Sequence, residues 1–219
     1  MVAGSPFPAA VNSSDSARGV LVRQAFRLEW LTIAWMTIEA VVAMASGIAA
    51  GSVSLLAFGT DSLIELLSAG VLVWRLSVEL RRGRAVSEKA ERRASRIGGV
   101  LLLALAAYVV TAAAWSLWTR HGAEFSIPGI VIAAFAIPIM YALARRKLAL
   151  TERLGSRALR ADAMESITCG WLSFVVVIGL AAQFLNGSWW IDSVTSLAIV
   201  WLLVKEGREA WRLEECGCH

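Results

Sequence analysis

Long apolar runs alternate along the chain with short polar, base-rich segments, and the length of the runs decides what they are. Crossing a hydrocarbon core of about 30 Å takes roughly 20 apolar residues as a helix. Six runs meet or approach that length, at 30–50, 53–76, 97–118, 127–144, 161–185 and 189–204. Pro128 and Pro138 interrupt the fourth, an interruption that membrane helices tolerate because neighbouring groups re-satisfy the freed backbone. The pattern predicts an all-α membrane protein, a bundle of six transmembrane helices. Residues 1–24, containing "GSPFPAAVNSSDSARG", are small, polar and turn-prone and are expected to be a disordered N-terminal tail. The transmembrane domain is placed at 25–205 and a short cytoplasmic tail at 206–219.

Composition agrees with this pattern. Hydrophobic residues make up 58% and charged residues 17% of the 219 positions, and the mean hydropathy is +0.64, too apolar for a soluble domain of this size. The net charge of +4 does not point to nucleic acid, because the bases are gathered at one side of the bundle. Arg18, Arg23 and Arg27 precede helix 1; "RRGRAVSEKAERRASR" follows helix 2; Arg145, Arg146, Lys147, Arg153, Arg157 and Arg160 follow helix 4; Lys205, Arg208 and Arg212 follow helix 6. The opposite connections, "AGS", "TRHGAEFS" and "NGS", hold one base, Arg120. Basic loops face the cytoplasm, so both termini are expected there, in a multi-pass protein of the cell membrane.

Acids within the apolar runs supply the chemistry. Asp61 and Glu65 lie in the middle of "SVSLLAFGTDSLIELLSAGVLVW", four residues apart and so on one helix face. In "ADAMESITCG" of helix 5, Asp162, Glu165 and Cys169 share a face in the same way. An acid near the bilayer centre costs about 2.5–3.5 kcal/mol on insertion scales and marks a functional site by default. Buried neighbouring carboxylates need protons or a cation to neutralise them, and a metal ion that binds them displaces protons. Exchange of a divalent cation for protons follows naturally from such a group. The plain alternative is pairing with Arg or Lys, but no base falls in the middle of any of the six runs, Arg75 lying near an end. Asp162, at the start of helix 5, is equally suited to capping it. Glu39 reaches a similar depth in helix 1, as an accessory proton carrier, a ligand, or the partner of a hydroxyl.

The segments "LLAFGTDSLIELLSAGVLVWRL", "ALRADAMESITCGWLSFVVVIGL" and "WWIDSVTSLAIVWLLVKEGREAW" resemble the membrane domain of the cation diffusion facilitators, which exchange cytoplasmic divalent metals for protons. The resemblance covers about residues 28–212 and implies a tetrahedral site made by Asp61, Glu65, Glu165 and Cys169, with Asp192 matching an acid often found at the start of helix 6. Three positions depart from the family's usual residues: Glu65 replaces Asp, Glu165 stands where His is common, and Cys169 stands where Asp is usual. Carboxylates with one thiolate mix hard and soft donors and suit zinc, cadmium, cobalt, iron or manganese. Cys169 reads equally as a small packing residue in an apolar helix.

The family usually continues from helix 6 into a small α/β domain that steadies a dimer, whereas this sequence runs to "EECGCH". Cys216, Cys218 and His219 could chelate a soft metal or simply form a reduced, unstructured end. A homodimer is implied by the resemblance, and the small residues of "LLLALAAYVVTAAAWSL" in helix 3 offer a seam for it or for internal packing. No P-loop pattern is present. The expectation is a secondary transporter exporting a divalent metal, not an enzyme, with no cofactor beyond its cargo and counter-ion protons. Two other readings stay open: a proton-coupled exporter of organic cations with a pocket of Glu39, Asp61 and Trp35, and a non-transporting membrane sensor or partner protein.

Overall fold

A computed structural model describes residues 9–82, 88–120 and 123–215. They form six helices, α1 (Ala9–Ala50), α2 (Val53–Arg82), α3 (Glu88–Thr119), α4 (Ile127–Leu154), α5 (Arg157–Asn186) and α6 (Ile191–Glu215). Among the described residues there is no strand. Five of the helices, α1 to α5, are long and apolar enough to cross a membrane. The outside of the bundle carries large apolar side chains such as Val41, Ile48, Trp115, Trp201 and Leu185, a surface suited to lipid and not to water.

The helices begin and end where local chemistry allows. Ser126 caps α4 by accepting from Gly129 N, and Ser156 caps α5 by accepting from Leu159 N. The two-residue turn between them needs Gly155 at φ 61°, a left-handed conformation that glycine adopts without a Cβ penalty. Pro138 lies inside α4 without ending it.

Two boundaries differ from the apolar pattern. The helix α1 begins at Ala9, so residues 9–24 of the segment expected as a disordered tail extend the first helix; residues 1–8 lie outside the described ones. Tertiary packing anchors the end of this stretch: Val22 and Ala25 bury against Leu72 and Leu76 of α2, Leu154 of α4 and Leu159 of α5. Likewise α4 runs on through Arg145, Arg146 and Lys147, which the charge pattern had assigned to a loop. Arg145 and Arg146 are exposed while Lys147 is buried.

Helices α1, α2, α4 and α5 pack together, and α3 pairs with α6 on the flank formed by α2 and α5. The core joins Met36 and Ala43 of α1, Phe58 of α2, Met140 of α4 and Cys169, Leu172 and Val176 of α5. The α1–α2, α3–α4 and α5–α6 connections meet at one end of the bundle. There, Glu124 N donates to Ala50 O at 2.7 Å, Gln183 donates to Ala123 O, and Asp192 at the start of α6 receives the start of α2.

Candidate metal centre

Asp61 and Glu65 project from one face of α2 toward α5, where Cys169 faces them. One ligand atom from each of these residues lies within 4.8 Å of the other two, and all three residues are buried. Both carboxylate oxygens of Asp61 are buried without a hydrogen-bond partner among the described residues. A desolvated, unpaired carboxylate is a strongly unfavourable arrangement unless a cation or proton joins it. The donor set therefore fits a cation as cargo: two carboxylates that bind hard ions and one thiol that favours softer ones on losing its proton.

Glu165, the fourth residue of the expected set, is not within that tight group. It stands beside it, close enough to interact electrostatically with Asp61, and its side chain is held by Ser68 of α2. Its Oε2 is buried without a hydrogen-bond partner among the described residues.

The helix α1 contributes more than its sequence suggested. Glu39 is fully buried and accepts three hydrogen bonds: from Ser62 Oγ at 2.7 Å, from Trp35 Nε1 at 2.6 Å and from Cys169 Sγ at 3.4 Å. It is a buried strut that fixes the thiol opposite Asp61 and Glu65. Gly59 makes this approach of α1 and α2 feasible, because a Cβ there would come 2.9 Å from the backbone nitrogen of Met44.

Two accessory positions have other work. Asp162 neither joins the cluster nor caps α5. It forms a buried ion pair with Lys147, which also lies 3.3 Å from Glu29. The charge pattern had placed Lys147 in the loop after helix 4, whereas α4 runs on to Leu154, nearly three turns past its apolar stretch, and turns Lys147 inward. Asp192 is also away from the cluster. Its carboxylate accepts from Ser52 Oγ at 2.6 Å, Ser54 Oγ at 2.5 Å and Val53 N at 2.9 Å, so it stitches α6 to the otherwise unsatisfied first turn of α2. Cys216, Cys218 and His219 lie outside the described residues.

Residues 30–212 match the family model of the cation efflux transmembrane domain. The chain is 32% identical over 155 residues to an uncharacterized transporter of Synechocystis, an alignment covering 68% of this chain and 49% of that protein. It is 26% identical over 191 residues to transmembrane protein 163 of Xenopus laevis, covering 84% of this chain and 65% of the relative. The chain thus spans between 49% and 65% of the length of these curated relatives. With the match running from the middle of α1 to the end of α6, this chain belongs to the cation efflux family and carries its transmembrane domain.

Proposed function

We propose that this protein is a secondary transporter that exports a divalent metal cation from the cytoplasm in exchange for protons, with Asp61, Glu65 and Cys169 as the ion's ligands. The observation that carries the reading is the convergence of these three buried side chains, with both Asp61 oxygens unpartnered. Burial makes the empty, fully ionised cluster unfavourable, so it holds either protons or a cation. A cation that binds must release the protons it replaces, and acid on the far side then drives it off. That reciprocity is antiport.

The thiol narrows the cargo. Carboxylates alone suit harder ions such as magnesium and manganese, whereas a thiolate adds preference for zinc and cadmium. Glu165, beside the cluster with a free oxygen, is placed to join the coordination as the ion settles. The basic side of the bundle is read as cytoplasmic, with both termini there.

The organic-cation reading gains no support from the geometry. Trp35 directs its indole N–H at Glu39, so its edge and not its ring face meets the acid. Purified protein in vesicles, assayed with zinc, cadmium, cobalt, manganese and ferrous iron, tests the proposal. An inward-directed uptake of zinc or cadmium that disappears when the proton gradient is collapsed supports it. Uptake of none of these ions, or uptake indifferent to the gradient, contradicts it.

A further inference from the structure

A second group of charges lies inside the bundle, away from the metal centre, where α1, α4 and α5 meet. Glu29 and Lys147 are fully buried and Asp162 is nearly so. Lys147 Nζ pairs with Asp162 Oδ2, lies 3.3 Å from Glu29 Oε2, and is 3.4 Å from Ser166 Oγ. The Glu29 and Asp162 carboxylates thus flank the same ammonium. Neither oxygen of Glu29 has a donor in hydrogen-bonding geometry among the described residues, although both are buried.

Charge counting makes this arrangement incomplete as it stands. Among the described side chains two carboxylates face one ammonium, leaving a net negative charge in a dry site, where uncompensated charge is strongly disfavoured. One proton on Glu29 cancels that excess charge and removes the need to keep its buried, unpartnered carboxylate ionised. Among the described side chains, the charged groups facing Glu29 are Lys147 from α4 and Asp162 from α5. Glu165 is the next acid along α5. The adjoining turn of α1, through Val22 and Ala25, packs on Leu72 and Leu76 of α2.

We propose that Glu29 binds one exchangeable proton beside the Lys147–Asp162 pair, forming a proton-binding site separate from the metal centre. Protonation joins H⁺ to the Glu29 carboxylate, and its loss returns the pair to the ionised form with Lys147 as sole counter-charge. Its part in transport rests on the antiport reading above: the site holds a counter-proton that need not compete directly with metal for Asp61, Glu65 or Cys169. Asp162 is two helical turns from Cys169, so the two sites are adjoining and not shared.

Infrared spectroscopy of the full chain in detergent, without metal and across pH, tests the site independently of transport. The expected result is a protonated-carboxyl component that Glu29→Gln removes, that Asp162→Asn shifts or removes, and that Asp61→Asn leaves in place. Lys147→Met provides a further check, since withdrawing the ammonium should move the titration of that component to higher pH. A carboxyl component unchanged by Glu29→Gln and Asp162→Asn, or a titration unmoved by Lys147→Met, overturns the proposal. In vesicles, Glu29→Gln should keep metal affinity at the wild-type value while lowering the number of protons exchanged per metal. Unaltered proton stoichiometry overturns the coupling role. Absence of metal flux in the wild-type protein would instead count against the antiport reading, and the infrared result would still decide whether the triad holds a proton.

Discussion

Cys169 on α5 donates its thiol hydrogen to Oε1 of Glu39 on α1, at 3.4 Å. This contact ties α1 to the face of α5 that meets Asp61 and Glu65, and it sets where the sulfur stands when an ion arrives. Outer partners of metal ligands commonly contribute about 10–100-fold in affinity. Glu39→Gln keeps the shape but weakens acceptance from Ser62, Trp35 and Cys169 together, so cadmium affinity should fall within that range. Calorimetric titration of the purified protein checks it, and an unchanged affinity would remove Glu39 from the support of the site.

Cys169 itself decides between soft and hard cargo. As a ligand, its thiolate favours cadmium and zinc over manganese. Cys169→Ser should lower the ratio of cadmium to manganese affinity by about tenfold or more, and Cys169→Asp should move preference toward manganese, on the general ordering of donor softness. If the thiol only packs, the ratio stays constant in both variants.

Asp192 separates stability from binding. Its carboxylate holds Ser52, Ser54 and the backbone of Val53, and removing a buried acceptor strands its donors at a cost of about 1–3 kcal/mol each. Asp192→Ala should therefore lower the unfolding temperature in detergent while leaving cadmium affinity intact. A loss of affinity without a loss of stability would place Asp192 in the metal pathway after all.

How far the sequence reached can be judged from particular residues. Asp61, Glu65 and Cys169 were legible because helical spacing puts each set on a definite face and apolar surroundings make acids conspicuous. Lys147 was not, because "ARRK" reads as a basic loop. Its signal was nevertheless present: Met140, Leu143, Ala144, Lys147, Thr151 and Leu154 are all buried, a three-and-four spacing that continues the core face straight through the lysine. Asp162 then found a partner that the charge pattern had placed outside the bundle. The strut role of Glu39 required knowing which helices touch, since α1 and α5 are far apart in the chain and periodicity carries no information about neighbours. Asp192 followed the same logic, its three donors lying about 140 residues earlier.

The pH dependence of binding has a fixed sign. On the proposed function, metal and protons compete for the carboxylates of Asp61 and Glu65 and for the Cys169 thiol, so affinity should rise with pH and fall with acid, by about tenfold per pH unit for each proton displaced in the titrating range. Cadmium titrations at several pH values measure this slope. Affinity independent of pH would mean that the ion enters without displacing protons.

Asp61→Asn and Glu65→Gln address the central claim most directly, because each removes one negative ligand while preserving size and fold. Cadmium and zinc uptake by vesicles, compared with the wild-type protein at matched amounts of folded chain, is the deciding measurement. The account predicts that Asp61→Asn abolishes proton-driven uptake and that Glu65→Gln does the same or nearly so. Wild-type rates in both variants would contradict passage of the ion through Asp61, Glu65 and Cys169.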